Sequence, residues 1–163
     1  MYSHILVPLE NSPADDTVLE HVIKLAKASS ARVSLIHVAD GYVARNYEQL
    51  KLAPSQEMRE DVDYLSQRED ELKKLDIPVS AHLACGEPAD EIIKFADEIG
   101  CDLIAMATHG RSGLQRLAMG SVTERVLGAA KLPVLVIRPQ DVQAMTGHES
   151  FSGGKAVEKT KYV

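Results

Sequence analysis

The chain has 163 residues, of which 45% are hydrophobic and 26% charged, with a formal net charge of −6. That length and apolar content suit one globular domain with a sizeable core. The acidic balance argues against nucleic acid as the main partner, because phosphate backbones demand a basic footprint. No apolar run approaches the length needed to span a bilayer, and no signal peptide precedes Met1-Tyr2-Ser3-His4. Cys85 and Cys101 lack metal-type spacing and read as reduced structural thiols. A cytoplasmic protein with no membrane partner is expected.

In chain order, short apolar runs alternate with amphipathic segments. His4 to Leu9 (HILVPL) reads as a strand buried on both faces, as in a parallel sheet. Glu10-Asn11-Ser12-Pro13 is a turn, with Ser12 a good N-cap and Pro13 suited to the first helical position. The helix that follows runs to about Ser29, with Val18, Val22, Leu25, Ala26 and Ser29 on one face. Residues 32–38 (RVSLIHV) form the second strand. Residues 39–55 have no clear period and read as a long, partly helical connection over the sheet's carboxyl end, either a lid or a variable surface loop.

Residues 56–75 read as a helix with Met58, Val62, Leu65, Leu72 and Leu75 as its apolar stripe and an acidic, solvated opposite face. Residues 79–84 are the third strand. Pro88 opens the next helix, which turns Ala89, Ile92, Ile93, Ala96 and Ile99 inward and ends at Gly100. Residues 102–107 are the fourth strand, 121–131 a helix with Val122, Val126, Ala129 and Ala130 inside, and 133–138 the fifth strand. The domain is expected to span residues 1–139. Residues 140–163 have no period and are expected to form a flexible tail.

Five strands alternating with four helices imply an α/β fold: one open parallel sheet with helices on both faces. The common order 3-2-1-4-5 puts a crevice between the first and fourth strands, outside their carboxyl ends. Glu10 follows the first strand, and residues 106–125 (MATHGRSGLQRLAMGSVTER) begin at the end of the fourth. Gly110, Gly113 and Gly120 let the backbone approach a ligand. The helix starting near Ser121 offers unpaired N–H groups, so the stretch suits an anion, most often phosphate. The N–H groups of Gly120, Ser121 and Val122 and the hydroxyls of Ser121 and Thr123 are the expected donors. Arg111, Arg116 and Arg125 make the stretch locally basic.

The same residues also have a plainer reading. Ser121-x-x-Glu124 is a capping box that needs no ligand, and Gly110 and Gly113 suit simple turns. The first turn has no glycine, so the dinucleotide fingerprint is absent, and neither a Walker loop nor a nucleophile elbow occurs. The six histidines are scattered, and His37 reads as a core or near-core residue rather than a ligand. No catalytic constellation is recognisable.

Taken together, HILVPLENS, SLIHV, GEPADEII, CDLIAMATHGRSGL, MGSVTERVL and PVLVIRP resemble, in order and spacing, the universal stress proteins over about residues 1–139. The resemblance implies an adenine nucleotide alpha hydrolase-like, Rossmann-like fold. It leaves two functions open: an ATP-binding stress and signalling protein, or a nucleotide-free dimeric scaffold. ATP-binding members carry Gly-x2-Gly-x9-Gly-Ser/Thr. Here Ala107 stands at the first glycine, Gly110 at the second, and Gly120-Ser121 close the motif.

By resemblance, Gly110, Gly120, Ser121, Val122 and Thr123 would hold the phosphates, Ala107 and His109 would lie along the ribose, and Val38 would meet adenine with its backbone. Glu10 replaces the family's usual Asp, and Ser12 is retained. Pro8, Leu9, Thr108 and Arg111 complete the expected set. Mg²⁺ should bridge the phosphates, because one loop cannot neutralise a triphosphate alone. At most a slow ATPase is expected, not an enzyme proper. The apolar edge at residues 134–137 invites antiparallel pairing into a homodimer, as in family members that resemble this chain.

Overall fold

His4–Leu9 is buried at every position, which a strand achieves in the middle of a sheet covered on both faces. The computed structural model describes residues 1–40, 56–108 and 120–139. Within them the elements are β1 (His4–Leu9), α1 (Ala14–Ser29), β2 (Arg32–Ala39), α2 (Gln56–Lys73), β3 (Val79–Cys85), α3 (Pro88–Ile99), β4 (Leu103–Ala107), α4 (Ser121–Ala129) and β5 (Val134–Ile137). All pairings are parallel, and the order is β3-β2-β1-β4-β5, as expected. The expected connection, most of the glycine stretch and the expected tail fall in 41–55, 109–119 and 140–163, outside the described residues.

Alternate side chains of β1 feed two cores, because successive residues of a strand point to opposite faces. Ile5, Val7 and Leu9 join Val18 and Val22 of α1 and Leu65 and Leu72 of α2. Leu6 joins Ile36, Ile104, Ile92 and Ala96 of α3, and Val126 of α4 on the other face. β1 pairs with β2 along its length, from His4↔Arg32 to Leu9↔His37. Its register with β4 is Ile5↔Leu103 and Leu6↔Ile104, whereas β4 and β5 stay paired to Ala107↔Ile137. β1 and β4 therefore part at their carboxyl ends, where the strand order reverses and a crevice forms.

Several local expectations are corrected. Pro13, not Ser12, is the N-cap of α1, without a side-chain cap bond. The Ser12 hydroxyl oxygen is buried and has no hydrogen-bond partner among the described residues. α2 ends at Lys73 and buries Met58, Leu65 and Leu72 of the expected stripe, but Val62 and Leu75 are 45% and 40% exposed, while Asp61 is 2% exposed. The reason is a partner on the sheet, since Asp61 Oδ2 lies 3.2 Å from His37 Nε2. A carboxylate can be buried where such a partner exists.

Asp102 precedes β4 rather than opening it. Its carboxylate accepts from the Ser3 N–H and hydroxyl and the His4 N–H, fastening the chain's start beside the sheet. α4 is shorter than expected and leaves Ala129 exposed, with Thr123 and Val126 turned inward. Gly100 does end α3, at φ 60°, with its N–H on the Ala96 carbonyl.

His4 makes stability depend on pH. Its Nε2 lies 2.9 Å from Ser34 Oγ, which in turn meets Ser80 Oγ at 3.0 Å. Burial first, then the Arg32 charge, lowers the His4 pKa from its ordinary 6.5. As pH falls through that value, the unfolded chain takes up the proton before the folded one, so stability falls with it. Urea unfolding of the wild type should show this loss below about pH 6.5. The loss should be smaller in His4→Gln. An equal pH dependence in both would remove His4 from the effect.

Candidate functional site

Where β1 and β4 part, a cavity of about 260 Å³ opens at the carboxyl ends of the strands. The end of β1 contributes Pro8 and Leu9, followed by Glu10. Val38 of β2 and Ala107 of β4 form facing walls, and the start of α4 contributes residues 120–123. All of these were expected from the sequence. Thr108 lies behind the wall: it is buried, its N–H donates to the Ile137 carbonyl at 2.9 Å, and its carbonyl accepts from Gly120. Ser12 sits within the turn after β1, near the cavity but not on its lining. His109, Gly110 and Arg111 lie outside the described residues, as do Gly113 and Arg116.

Asp15, which sequence reasoning missed, shapes the turn after β1. Its carboxylate accepts from the Glu10 N–H at 3.1 Å, the Ser12 N–H at 3.1 Å and the Tyr64 hydroxyl at 2.6 Å. Burial, reinforced by the hydrogen bond to Asp15, pushes the Tyr64 pKa above its ordinary value. Asn11 takes a left-handed φ of 55° in this turn. Asn tolerates that conformation better than most residues. Acids are common in any first helical turn, so nothing local separates Asp15 from its neighbour Asp16. Asp16 points outward to Arg68 at 2.6 Å.

The β4–α4 junction departs from the expected cap. Gly120, not Ser121, is the N-cap, so the capping box does not form. The Gly120 N–H donates to the Thr108 carbonyl at 2.7 Å, and the Thr123 hydroxyl donates to the Ala107 carbonyl at 2.9 Å. Those two donors tie α4 to β4 instead of facing a ligand. The first intrahelical bond runs from the Glu124 N–H to the Gly120 carbonyl at 3.0 Å. The N–H groups of Ser121 and Val122 precede it and have no carbonyl within their own helix. The Ser121 side chain is exposed at the same end. Arg125 pairs with Glu87 and, at 2.9 Å, with Asp90 of α3, so two carboxylates balance the charge expected at the anion site.

The cavity is electrically lopsided. Glu10, Asp15 and Asp40 line it near the ends of β1 and β2, while the positive end of the α4 dipole faces it from the other side. His37 also lines it, with Nδ1 on the Leu9 carbonyl at 2.8 Å and Nε2 near Asp61. Such a site suits a ligand with hydrogen-bond donors at one end and an anion at the other. Among the described residues, no group of three or more His, Cys, Asp or Glu is arranged to hold a metal ion.

The family model for the universal stress protein family matches residues 1–138. The chain belongs to the universal stress protein family. This universal stress protein is 32% identical over 144 residues to MJ0531 of Methanocaldococcus jannaschii, a universal stress protein, with 85% of this chain and 83% of the relative covered. The solved structure of the hypothetical protein MJ0577 is 30% identical with a TM-score of 0.75, covering 86% of this chain and 99% of that one. A universal stress protein from Archaeoglobus fulgidus, solved in complex with dAMP, has a TM-score of 0.64 at 24% identity and covers 83% of this chain and 98% of its own. Among the described residues, no helix of this universal stress protein is long and apolar enough to cross a membrane.

Proposed function

We propose that this universal stress protein binds ATP in the crevice between β1 and β4 and acts as a nucleotide-dependent stress-response and signalling protein. The observation that carries this reading is a cavity at the strand-order reversal, bounded by the N-terminus of α4. The phosphates would meet the Ser121 and Val122 N–H groups and the Ser121 hydroxyl, with Gly110 and Arg111 from the preceding loop, while His109 would lie along the ribose. Adenine would meet the Val38 backbone, and the ribose would lie between Ala107 and Glu10. The carboxylate-lined side of the cavity favours the hydroxyl and amino donors of a nucleoside, and the helix end favours its phosphates. The dAMP complex of a relative supports the same ligand class. Mg²⁺ would neutralise part of the triphosphate charge.

The test is calorimetric titration with Mg·ATP, with Mg·GTP as the control. One ATP per chain with weaker GTP binding is expected. No heat at millimolar ATP would reject the reading and leave the nucleotide-free scaffold.

We also infer a homodimer through β5, with residues 1–139 as the domain that forms it and 140–163 as a dispensable tail. β5 is an edge of the sheet, and Leu135 on it is 38% exposed. An apolar edge invites pairing with a second copy. Leu135→Asp should convert a dimer into a monomer in sedimentation velocity, and truncation after Pro139 should leave the dimer intact. A wild-type monomer at micromolar concentration would reject the interface.

A further inference from the structure

His37 and Asp61 are buried together, with side chains only 7% and 3% exposed. A backbone carbonyl can only accept a hydrogen bond, so the 2.8 Å contact with the Leu9 carbonyl requires a proton on His37 Nδ1. Nε2 then faces Asp61 Oδ2 at 3.2 Å. A bare ring nitrogen and an ionised carboxylate would set two lone pairs against each other. A second proton must lie between them. The titratable groups around the pair are also mainly acidic or phenolic. Tyr64 comes from α2, Asp15 from α1, Glu10 from the turn after β1, and Asp40 from the end of β2, and the three carboxylates line the same cavity as His37. On its outer side Tyr64 meets Arg68, whose guanidinium lies 5.2 Å from the ring centroid and pairs with Asp16 and Glu71.

The place of the pair gives it a task. Leu9 is the last residue of β1, beyond the point where β1 and β4 are in register. His37 fastens its carbonyl, and the next residue on β2, Val38, is a cavity wall. Asp61 in turn fastens His37 to α2.

We infer that His37 and Asp61 share a proton and hold the Leu9–Val38 wall in place to receive the base of the nucleotide, making His37 a positioning residue. The role toward the base rests on the nucleotide reading proposed above. The shared proton does not.

Two measurements test the inference. In the ligand-free protein near neutral pH, the ring ¹⁵N shifts of His37 and the carboxyl ¹³C shift of Asp61 should show a proton held by one of the two. A bare Nε2 opposite an ionised Asp61 would overturn the pair.

Binding is then read with two probes, adenosine for the base end and Mg·tripolyphosphate for the anion end. His37→Phe should weaken adenosine at least tenfold while leaving tripolyphosphate within about threefold. Asp61→Asn should stay near wild type for both, because its amide can donate to Nε2. Equal losses of both probes in His37→Phe, or unchanged adenosine binding, would overturn the positioning role. Should His37→Phe fail to fold, Asp61→Leu, which removes the partner of Nε2, should weaken adenosine at least tenfold while leaving tripolyphosphate within about threefold, and unchanged adenosine binding would overturn the role. If the wild type binds neither probe, the nucleotide reading fails and the role toward the base falls with it, while the NMR shifts still decide the shared proton.

Discussion

Asp15→Ala should lower the free energy of unfolding by about 3 kcal/mol, one of the larger effects expected from a single substitution outside the apolar core. The carboxylate is 2% exposed and accepts from two backbone N–H groups and the Tyr64 hydroxyl. A hydrogen bond to a charged group contributes about 1.5–3 kcal/mol, and a buried donor left without an acceptor costs about 1–3 kcal/mol. Water entering the vacated space restores part of the loss, so the costs do not simply add. Asp15→Asn keeps a carbonyl acceptor and should cost about half as much. Because Leu9 and Glu10 line the cavity, ATP affinity should fall with the turn. Urea unfolding of both variants checks the ranking. A change below about 0.5 kcal/mol for alanine, the ordinary range for a surface substitution, would mean that the turn is held by other contacts.

Gly120→Val should weaken Mg·ATP binding by more than about a hundredfold, equivalent to about 2.8 kcal/mol, with little change in stability. Gly120 sits at φ −64° and ψ 149°, extended backbone that valine adopts readily. Its N–H can still reach the Thr108 carbonyl. Loss of glycine as N-cap should cost about 1 kcal/mol or less. A branched side chain at the start of α4 would occupy the space in which phosphate must approach the Ser121 and Val122 N–H groups. Parallel calorimetry and thermal unfolding separate the two effects. Equal affinity in variant and wild type would move the phosphates away from α4.

The elements were legible in the sequence because their signal is local and repeated. HILVPL is apolar at nearly every position, and only a central parallel strand buries such a run. The alternation of strands and helices left few topologies, and 3-2-1-4-5 is the common order among them. That order in turn placed Glu10 and Ala107 at one crevice before any side chain had coordinates.

Polar partners were not legible, because they depend on which elements meet. Asp15 and Asp16 are equivalent in the sequence, but Tyr64, 49 residues away, reaches Asp15. Val62 outranks Asp61 as an inward residue on apolar grounds, yet His37 on the neighbouring strand gives Asp61 a buried partner. Ser121 looked like the better N-cap than Gly120. The Gly120 N–H bonds the Thr108 carbonyl, and Gly120 as N-cap starts the helix one residue earlier than that reading. Apolar periodicity determined the layers of this protein, since burial sums over many residues and tolerates exchange among them. Tertiary structure alone decided its polar contacts, since each hydrogen bond needs a particular donor and acceptor within about 3 Å.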